Sequence, residues 1–290
     1  MTAVTIYEPL YKPGQVQIEP LFTPWKVPNP QFVDWREFRI YVDMYLNGLH
    51  KGSGKVGMFS PKFQMKAQMP TQRFLDYCIE NAAADVCFFN PFPQIRYLAY
   101  NVWMQGETWH PGLHDAAQAL MDAAGTGIQI AQVPRHDERT LAYSNFWVAN
   151  EAFWEAFVGG LLLPVARFME ANPAHPAVAH VLKRTYHTDE APFLPFIMER
   201  MFSTFLSLNP QWRSASMPVP DMGPYCLNEA EHQCALKMKP EIDQADKAGD
   251  FPPSLIQRMK LVCEANTEQA KHFFLTNPHP HSGRPIVPKA

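Results

Sequence analysis

The stretch KVGMFSPKFQMKAQMPTQRFLDYCIENAAADVCFFNP (55–91) decides the fold. It opens with the short apolar run 55–60 and closes with a second one at 85–90, and both are typical of buried strands. Between them, 70–82 predicts an amphipathic helix that begins near a proline. A strand, a helix and a strand in this order favour a parallel pair with the helix packed on one face.

The same alternation continues on both sides of this stretch. Helices are predicted at 31–52 and 111–125, and further strands at 4–7, 16–22 and 128–133, with an extended run at 141–149. We therefore expect an α/β fold whose central, mostly parallel sheet contains Val56 to Phe59, Val86 to Phe89 and Ile128 to Val133, with helices on both faces. Ligands of such sheets bind beyond the carboxyl ends of the strands.

The second half of the chain is predicted to be helical. A long apolar helix follows Asn150, and Gly159, Gly160 and Pro164 predict a break or kink within it. Another apolar helix covers 192–208. From about residue 221 the chain is more polar, with one amphipathic helix predicted at 254–274. The sequence thus predicts one domain over residues 1–220 and a helical extension with a surface tail over 221–290.

Charge and composition restrict the function classes. The net charge is −3, so nothing global favours nucleic acid as a partner. No run of 18 apolar residues occurs and the start lacks a signal-peptide pattern, so we expect no transmembrane segment and a cytoplasmic protein. Five cysteines without a Cys-x-x-Cys pair predict reduced thiols and argue against a cysteine zinc site.

Polar residues that follow the predicted strands are the first site candidates. Ser60, Lys62 and Lys66 follow the strand at 55–60, where cations and a hydroxyl can hold a diphosphate. The alternative is a solvated polar loop. Asn90 follows the next strand and offers an amide at the sheet edge, although Asn-Pro is also ordinary turn chemistry.

The segment YNVWMQGETWHPGLHD (100–115) mixes aromatic and hydrogen-bonding side chains, as a sugar-binding surface requires. Trp109 and His110 are its candidates. His110 and His114 have the spacing of a zinc pair, but Pro111 most naturally begins the helix and leaves His110 off its face. Two acidic clusters, HDE (136–138) and TDE (188–190), are either metal ligands or solvated loops.

Glu199 and Arg200 interrupt the apolar helix at 192–208. Buried charges are costly unless they are paired or functional. The pair is therefore either a structural ion pair or part of a pocket in which Glu199 serves as a base. Neighbouring helical positions point about 100° apart, so Arg200 is a poor direct partner for Glu199, and we expect Glu199 to open onto a polar cavity.

Four segments, in order, resemble glycosyltransferases encoded with capsule and lipopolysaccharide synthesis, whose folds are similar to the nucleotide-diphosphosugar transferase fold called GT-A. These segments are KVGMFSPKF (55–63), ADVCFFNPFP (84–93), SNFWVANEAFWEAFV (144–158) and MERMFSTFL (198–206). The first departs from the family, which has a His-Tyr-Arg-Arg-like loop where this chain has Ser-Pro-Lys. The Asp-x-Asp of many GT-A enzymes is also missing after a buried strand.

This resemblance implies transfer of a sugar from a nucleotide-diphosphate sugar to a glycan or polysaccharide acceptor. It implies that Lys62 binds phosphate, that Asn145 and Asn150 line the pocket, and that Glu199 is the catalytic or acceptor-binding carboxylate. Dependence on a divalent metal and the identity of the donor stay open. Two alternatives also stay open, namely a non-catalytic carbohydrate-binding protein on the same fold and a metal-dependent nucleotide-sugar hydrolase.

Overall fold

The computed structural model describes residues 3–28, 32–185 and 191–278, and within them the chain forms an α/β fold built on a mixed six-stranded sheet. The strands are β1 (Val4–Leu10), β2 (Thr23–Lys26), β3 (Lys55–Met58), β4 (Val86–Phe88), β5 (Trp147–Ala149), β6 (Arg184–Thr185), β7 (Ala191–Pro192) and β8 (Ser214–Ser216). The sheet order is β2-β1-β3-β5-β4-β8, and β6 and β7 form a separate short ladder.

Strand direction defines where a ligand would bind. Strands β2, β1, β3, β4 and β8 run the same way, and β5 runs against its neighbours β3 and β4. The amino end of β5 therefore lies at the same edge as the carboxyl ends of the other five strands. We call this the carboxyl edge of the sheet.

Helices cover both faces of the sheet, as the sequence predicts. They are α1 (Glu37–Leu46), α2 (Phe63–Ala67), α3 (Thr71–Glu80), α4 (Ile95–Leu98), α5 (Val102–Trp109), α6 (Leu113–Ala123), α7 (Glu151–Trp154), α8 (Leu163–Ala171), α9 (Pro176–Val181), α10 (Phe193–Leu208), α11 (Glu229–Ala248) and α12 (Pro253–Thr276). Trp147 and Ala149 of β5 join the larger apolar cluster with α1, α5, α6 and α10. Val148 points to the other face and joins a smaller cluster with α2 and α3.

The helix after Asn150 is not broken at its glycines but changes there from α-helix to π-helix. Residues Glu155–Leu162 are π-helical and connect α7 to α8 without a break. A Cβ at Gly159 would lie 2.4 Å from the Tyr45 hydroxyl, so this wide turn leaves room for a side chain of α1. The combined stretch Glu151–Ala171 is long and apolar enough to cross a membrane, but 56% of its most apolar window is buried, which is also the behaviour of a core helix.

The C-terminal helices pack against the rest of the protein. The amphipathic helix predicted at 254–274 is confirmed as α12. Helix α11 was missed because most of its residues are polar and only a narrow stripe of its surface is buried. Both helices pack against Tyr97 and Leu98 of α4. Asp246 of α11 accepts from Arg96 at 3.0 Å and from Arg135 at 3.0 Å, which fastens the helix to the α/β part.

Two of the predicted strands are wrong. Residues Ile130–Gln132 form a 3-10 turn, because the Gln118 side chain accepts from Ile130 N and donates to the Ile128 carbonyl in place of a neighbouring strand. The run 16–22 is a loop for a similar reason. Its backbone groups bond to the side chains of Glu8 and Gln17. Backbone groups satisfied by side chains have no need of a ladder.

We predict that Gly106→Ala destabilises the fold. A Cβ there would lie 2.3 Å from Arg200 Nε and 2.5 Å from Leu113 Cδ2, so α5 and α10 would have to separate. The expected loss is about 1–3 kcal/mol in the free energy of unfolding, measured by urea denaturation. The control is Gly160→Ala, whose Cβ meets nothing closer than 3.6 Å and which should be neutral or slightly stabilising. Equal effects of the two substitutions would contradict the packing argument.

Candidate functional site

Polar residues from three strands meet at the carboxyl edge. Ser60 follows β3, Asn90 follows β4, and Ser144 and Asn145 precede β5. The antiparallel direction of β5 is what brings the last two residues to this edge, because the parallel strands end there. Glu199 reaches the same place from α10, where it accepts a hydrogen bond from Ser144 N.

Ser144 links a lysine to a carboxylate. Its hydroxyl accepts from Lys66 Nζ at 2.9 Å, and its backbone N–H donates to Glu199 Oε1 at 2.7 Å. Lys66 is half-buried and Glu199 is also only partly exposed. Ser144 therefore contacts both Lys66, which comes from α2 on one face of the sheet, and Glu199, which comes from α10 on the other face.

The charged groups around Lys66 shift its pKa in opposite directions. Burial lowers the pKa of Lys66, and the neighbouring ammonium of Lys62 lowers that pKa further, while the carboxylates of Glu199 and Glu37 raise it. Lys62 is therefore close enough to repel Lys66. Two lysines held near each other, one of them desolvated, gain from an anion placed between them.

Backbone strain is concentrated around this cluster. In the described part of the chain, four residues other than glycine have positive φ: Arg36, Gln68, Ser144 and Asn145. Arg36 precedes Glu37, Gln68 follows Lys66 by two positions, Ser144 contacts Glu199, and the Asn145 carbonyl accepts from Tyr41. Gln68 ends α2 in an ordinary left-handed cap. Asparagine tolerates positive φ, whereas Arg36 and Ser144 cost on the order of 1–3 kcal/mol each, and strain of this kind clusters at functional sites.

The side chain of Tyr41 holds the strained turn at Ser144 and Asn145 in place. Its hydroxyl lies 3.0 Å from the carbonyl of Asn145 and 3.2 Å from that of Met58, and its ring stacks on Trp147 at 4.9 Å. Burial raises the pKa of Tyr41, and Glu37 raises it further, so the hydroxyl stays a donor. The turn that presents Ser144 is therefore fastened to α1 and β3.

Two predicted pocket asparagines have structural roles. Asn90 closes a turn, accepting from Phe92 N at 3.1 Å through its amide oxygen. Asn150 lies at the opposite edge of the sheet, where it caps α7 by accepting from Phe153 N and donates to Asp85. The structure does not bring Asn150 to Asn145, because β5 runs between them.

Trp109 and His110 lie at the end of α5, away from the lysines. Trp109 packs against Ala270 and Phe274 of α12. His110 is 5% exposed and stacks on Phe196 at 3.9 Å, one turn before Glu199 in α10. His110 therefore supports the helix that carries Glu199, and neither side chain is placed like a sugar platform.

Arg200 turns away from Glu199, as the helical spacing predicts. Its guanidinium is 2% exposed and donates to the carbonyls of Val102 and Phe196 and to Gln105 Oε1. Burial lowers the pKa of Arg200. Arg200 joins α10 to α5 and leaves Glu199 to the site.

The HDE cluster does not converge on a metal. His136 is fully buried between Val102 N and Ser207 Oγ, and burial lowers its pKa to about 3. Asp137 bonds Arg139 and Glu138 bonds Arg96 instead. Among residues 3–28, 32–185 and 191–278 no group of three or more His, Cys, Asp or Glu side chains is arranged for a metal ion. The TDE cluster at 188–190 lies outside the described residues.

A groove of about 1020 Å³ begins beside the carboxyl edge and runs along β8 toward α11. Asn90, Tyr77 and Tyr97 line it. Most of its charges neutralise one another, since Arg96 pairs with Glu138 and Asp246, and Lys239 with Asp243. Such a surface suits an uncharged polar ligand better than a polyanion.

The sequence missed Ser144, Glu37 and Tyr41. Ser144 and Asn145 stand before an apolar run, and asparagine is among the residues that tolerate positive φ, so a turn was detectable at 144–145. Glu37 and Tyr41 carried no such signal, because their place near Lys66 results from the packing of α1.

We predict that Ser144→Gly is more stable than Ser144→Ala. Both lose the hydroxyl that accepts from Lys66, but only glycine adopts a φ of 65° without strain. The expected difference in the free energy of unfolding is about 1 kcal/mol, measured by denaturant titration. An alanine variant at least as stable as the glycine variant would show that the positive φ carries no strain.

No protein-family model, no curated protein and no solved structure matches this chain.

Proposed function

We propose that this protein is a glycosyltransferase that moves a sugar from a nucleotide-diphosphate sugar to a glycan acceptor. The observation that carries the proposal is the cluster of Lys62, Lys66, Ser144 and Glu199 on strained backbone at the carboxyl edge of a mostly parallel sheet. The four ordered segments that resemble GT-A glycosyltransferases agree with it.

The reaction needs a cationic site for the departing diphosphate. Glycosyl transfer passes through an oxocarbenium-like state, and negative charge builds up on the leaving group. Lys66 and Lys62 are the groups that would meet this charge. Burial is the main cause that lowers the pKa of Lys66, so an anion bound beside Lys66 would favour its charged form.

Glu199 would act on the acceptor hydroxyl. Ser144 N holds Oε1 in place, and the carboxylate remains partly exposed. A general base must lie within hydrogen-bond reach of the proton it removes and must be fixed in orientation. The contact with Ser144 supplies the fixed orientation.

The groove beside β8 is our candidate for the acceptor. The stretch 137–139 and Leu141 line it, and Leu141 is three residues before Ser144. Tyrosines and paired charges offer stacking and hydrogen bonds to sugar hydroxyls. We also propose a cytoplasmic location, because the apolar helix Glu151–Ala171 is mostly buried in the fold.

A non-catalytic sugar-binding protein would need the same groove but no turnover. A metal-dependent hydrolase is less favoured, because the HDE side chains are turned to different partners. Incubation with nucleotide sugars separates the three. Product that requires a glycan acceptor supports transfer, binding without product supports the non-catalytic protein, and metal-dependent release of free sugar supports the hydrolase.

We predict that Glu199→Gln keeps the fold and nucleotide binding but lowers turnover about 100-fold or more, the usual scale for losing a general base. Glutamine retains an oxygen that accepts from Ser144 N, so the local geometry persists. Transfer rates and thermal unfolding of the variant are compared with those of Glu241→Gln, a carboxylate on the surface of α11. Wild-type transfer by Glu199→Gln would exclude Glu199 as the base, and early unfolding would make it structural.

We predict that Lys66→Met weakens pyrophosphate binding about 10-fold to 100-fold, the scale of a charged hydrogen bond. The folded protein disfavours protonated Lys66, since its pKa is lowered, so the substitution should preserve or raise stability at neutral pH. Affinity of the wild type should fall as pH rises through the lowered pKa of Lys66, and the variant, which keeps only the Lys62 ammonium, should show a weaker dependence on pH.

The measurement is calorimetric titration with pyrophosphate across the alkaline range. Lys237→Ala, an exposed lysine of α11, is the control and should bind as the wild type does. Unchanged affinity in Lys66→Met would place the diphosphate elsewhere.

A further inference from the structure

The loop between β1 and β2, residues 11–22, exposes an unusual number of large apolar side chains. Val16 is 74% exposed, Ile18 is 65% exposed, and Tyr11 and Leu21 are each about half exposed. Single exposed apolar residues are common on soluble proteins, but a group within one loop marks an interaction surface. We call these four side chains the apolar loop patch.

The loop buries polar side chains and exposes apolar ones, which is the reverse of the usual pattern at a protein surface. From Gln15 to Pro20 the chain alternates, with the polar Gln15, Gln17 and Glu19 turned toward the protein and the residues between them turned outward. A segment with period two normally buries its apolar side. Here the protein buries the polar side, at 5% exposure for Glu19, and leaves the apolar side open.

Hydrogen bonds hold the loop in this arrangement. The buried carboxylate of Glu8 accepts from Ile18 N at 2.8 Å and from Glu19 N at 2.9 Å. The Gln15 amide bonds Tyr11 N and the Pro9 carbonyl. A loop fastened at both ends loses little conformational entropy when it binds a partner.

Within the segment 8–28, the exposed charges have one sign. Residues 8–28 contain two acidic and two basic side chains. Glu8 and Glu19 are buried, whereas Lys12 and Lys26 are exposed. Exposed apolar side chains with exposed lysines in the same segment complement the surface of an anionic lipid bilayer, which attracts basic residues and receives apolar ones at its headgroup boundary.

We propose that the apolar loop patch docks this protein onto an anionic membrane surface. The loop inserts its apolar side chains among the headgroups, and Lys12 and Lys26 contact the lipid phosphates. Glu19 accepts from Thr71 Oγ1 at 2.7 Å and from Gln64, a residue of α2 that lies between Lys62 and Lys66. The docked surface is therefore next to the candidate site. The proposal does not depend on sugar transfer.

The test is flotation of the full chain with vesicles of phosphatidylcholine that contain about one third phosphatidylglycerol, compared with phosphatidylcholine alone. We expect binding to the anionic vesicles that weakens as salt rises. The triple variant Val16→Ser, Ile18→Ser, Leu21→Ser should bind at least about 10-fold more weakly. The matched control is Leu236→Ser with Leu261→Ser, which removes exposed leucines of α11 and α12 and should bind like the wild type.

Several results would overturn the proposal. The wild type failing to float with anionic vesicles is one, and undiminished flotation of the triple variant is another. Concentration-dependent self-association that the triple variant abolishes, without vesicle binding, would assign the patch to a second copy of this chain. If the triple variant unfolds early, Ile18→Ser alone and Lys12→Glu with Lys26→Glu are measured instead, and wild-type binding by both would reject membrane docking.

Discussion

The hydrogen bonds of β5 to both of its neighbours are the constraint on which the candidate site depends. Ala149 pairs with Val56 of β3 on one side and with Val86 of β4 on the other. Because β5 runs against both strands, its first residues arrive where theirs end. A parallel strand in that position would have put Asn150, not Ser144, beside Lys66. One reversed strand thus decides which polar residues share an edge.

The buried guanidinium of Arg200 fixes the other half of the site. It donates to α5 and to the backbone of its own helix, so α10 cannot rotate without leaving a buried charge unsatisfied. Since Glu199 is its neighbour in sequence, holding Arg200 on one side of α10 directs Glu199 to the other. Of the two charges that interrupt this apolar helix, Arg200 therefore has a structural role and Glu199 remains partly exposed at the candidate site.

The sequence predicts the fold better than the site. The strands at 55–60 and 85–90 were predictable because apolar runs bounded by turn residues have few alternative structures. The glycines at 159–160 indicated a break or kink, whereas the structure has a continuous π-helical turn there. The run at 128–133 failed because Gln118, ten or more positions away, satisfies its backbone. Lys62 and Lys66 were chosen because they follow a buried strand, and Glu199 because it interrupts an apolar helix; the structure links Lys66 to Glu199 through Ser144. The sequence alone could not show that Asn150 and Trp109 lie away from the lysines. The direction of β5 places Asn150 at the opposite edge of the sheet, and α12 covers Trp109.

The π-helical turn at Glu155–Leu162 makes the two long apolar helices unequal in their tolerance of length changes. A π turn holds more residues than an α turn, so losing one residue near Gly160 can tighten the turn while α7 and α8 keep their buried faces. Helix α10 is α-helical throughout and contains no wide turn that could absorb a deletion. A one-residue deletion before Glu199 would rotate it by about 100° and take its carboxylate away from Ser144. Natural or engineered shortening should therefore be accommodated in the first helix and excluded from the second.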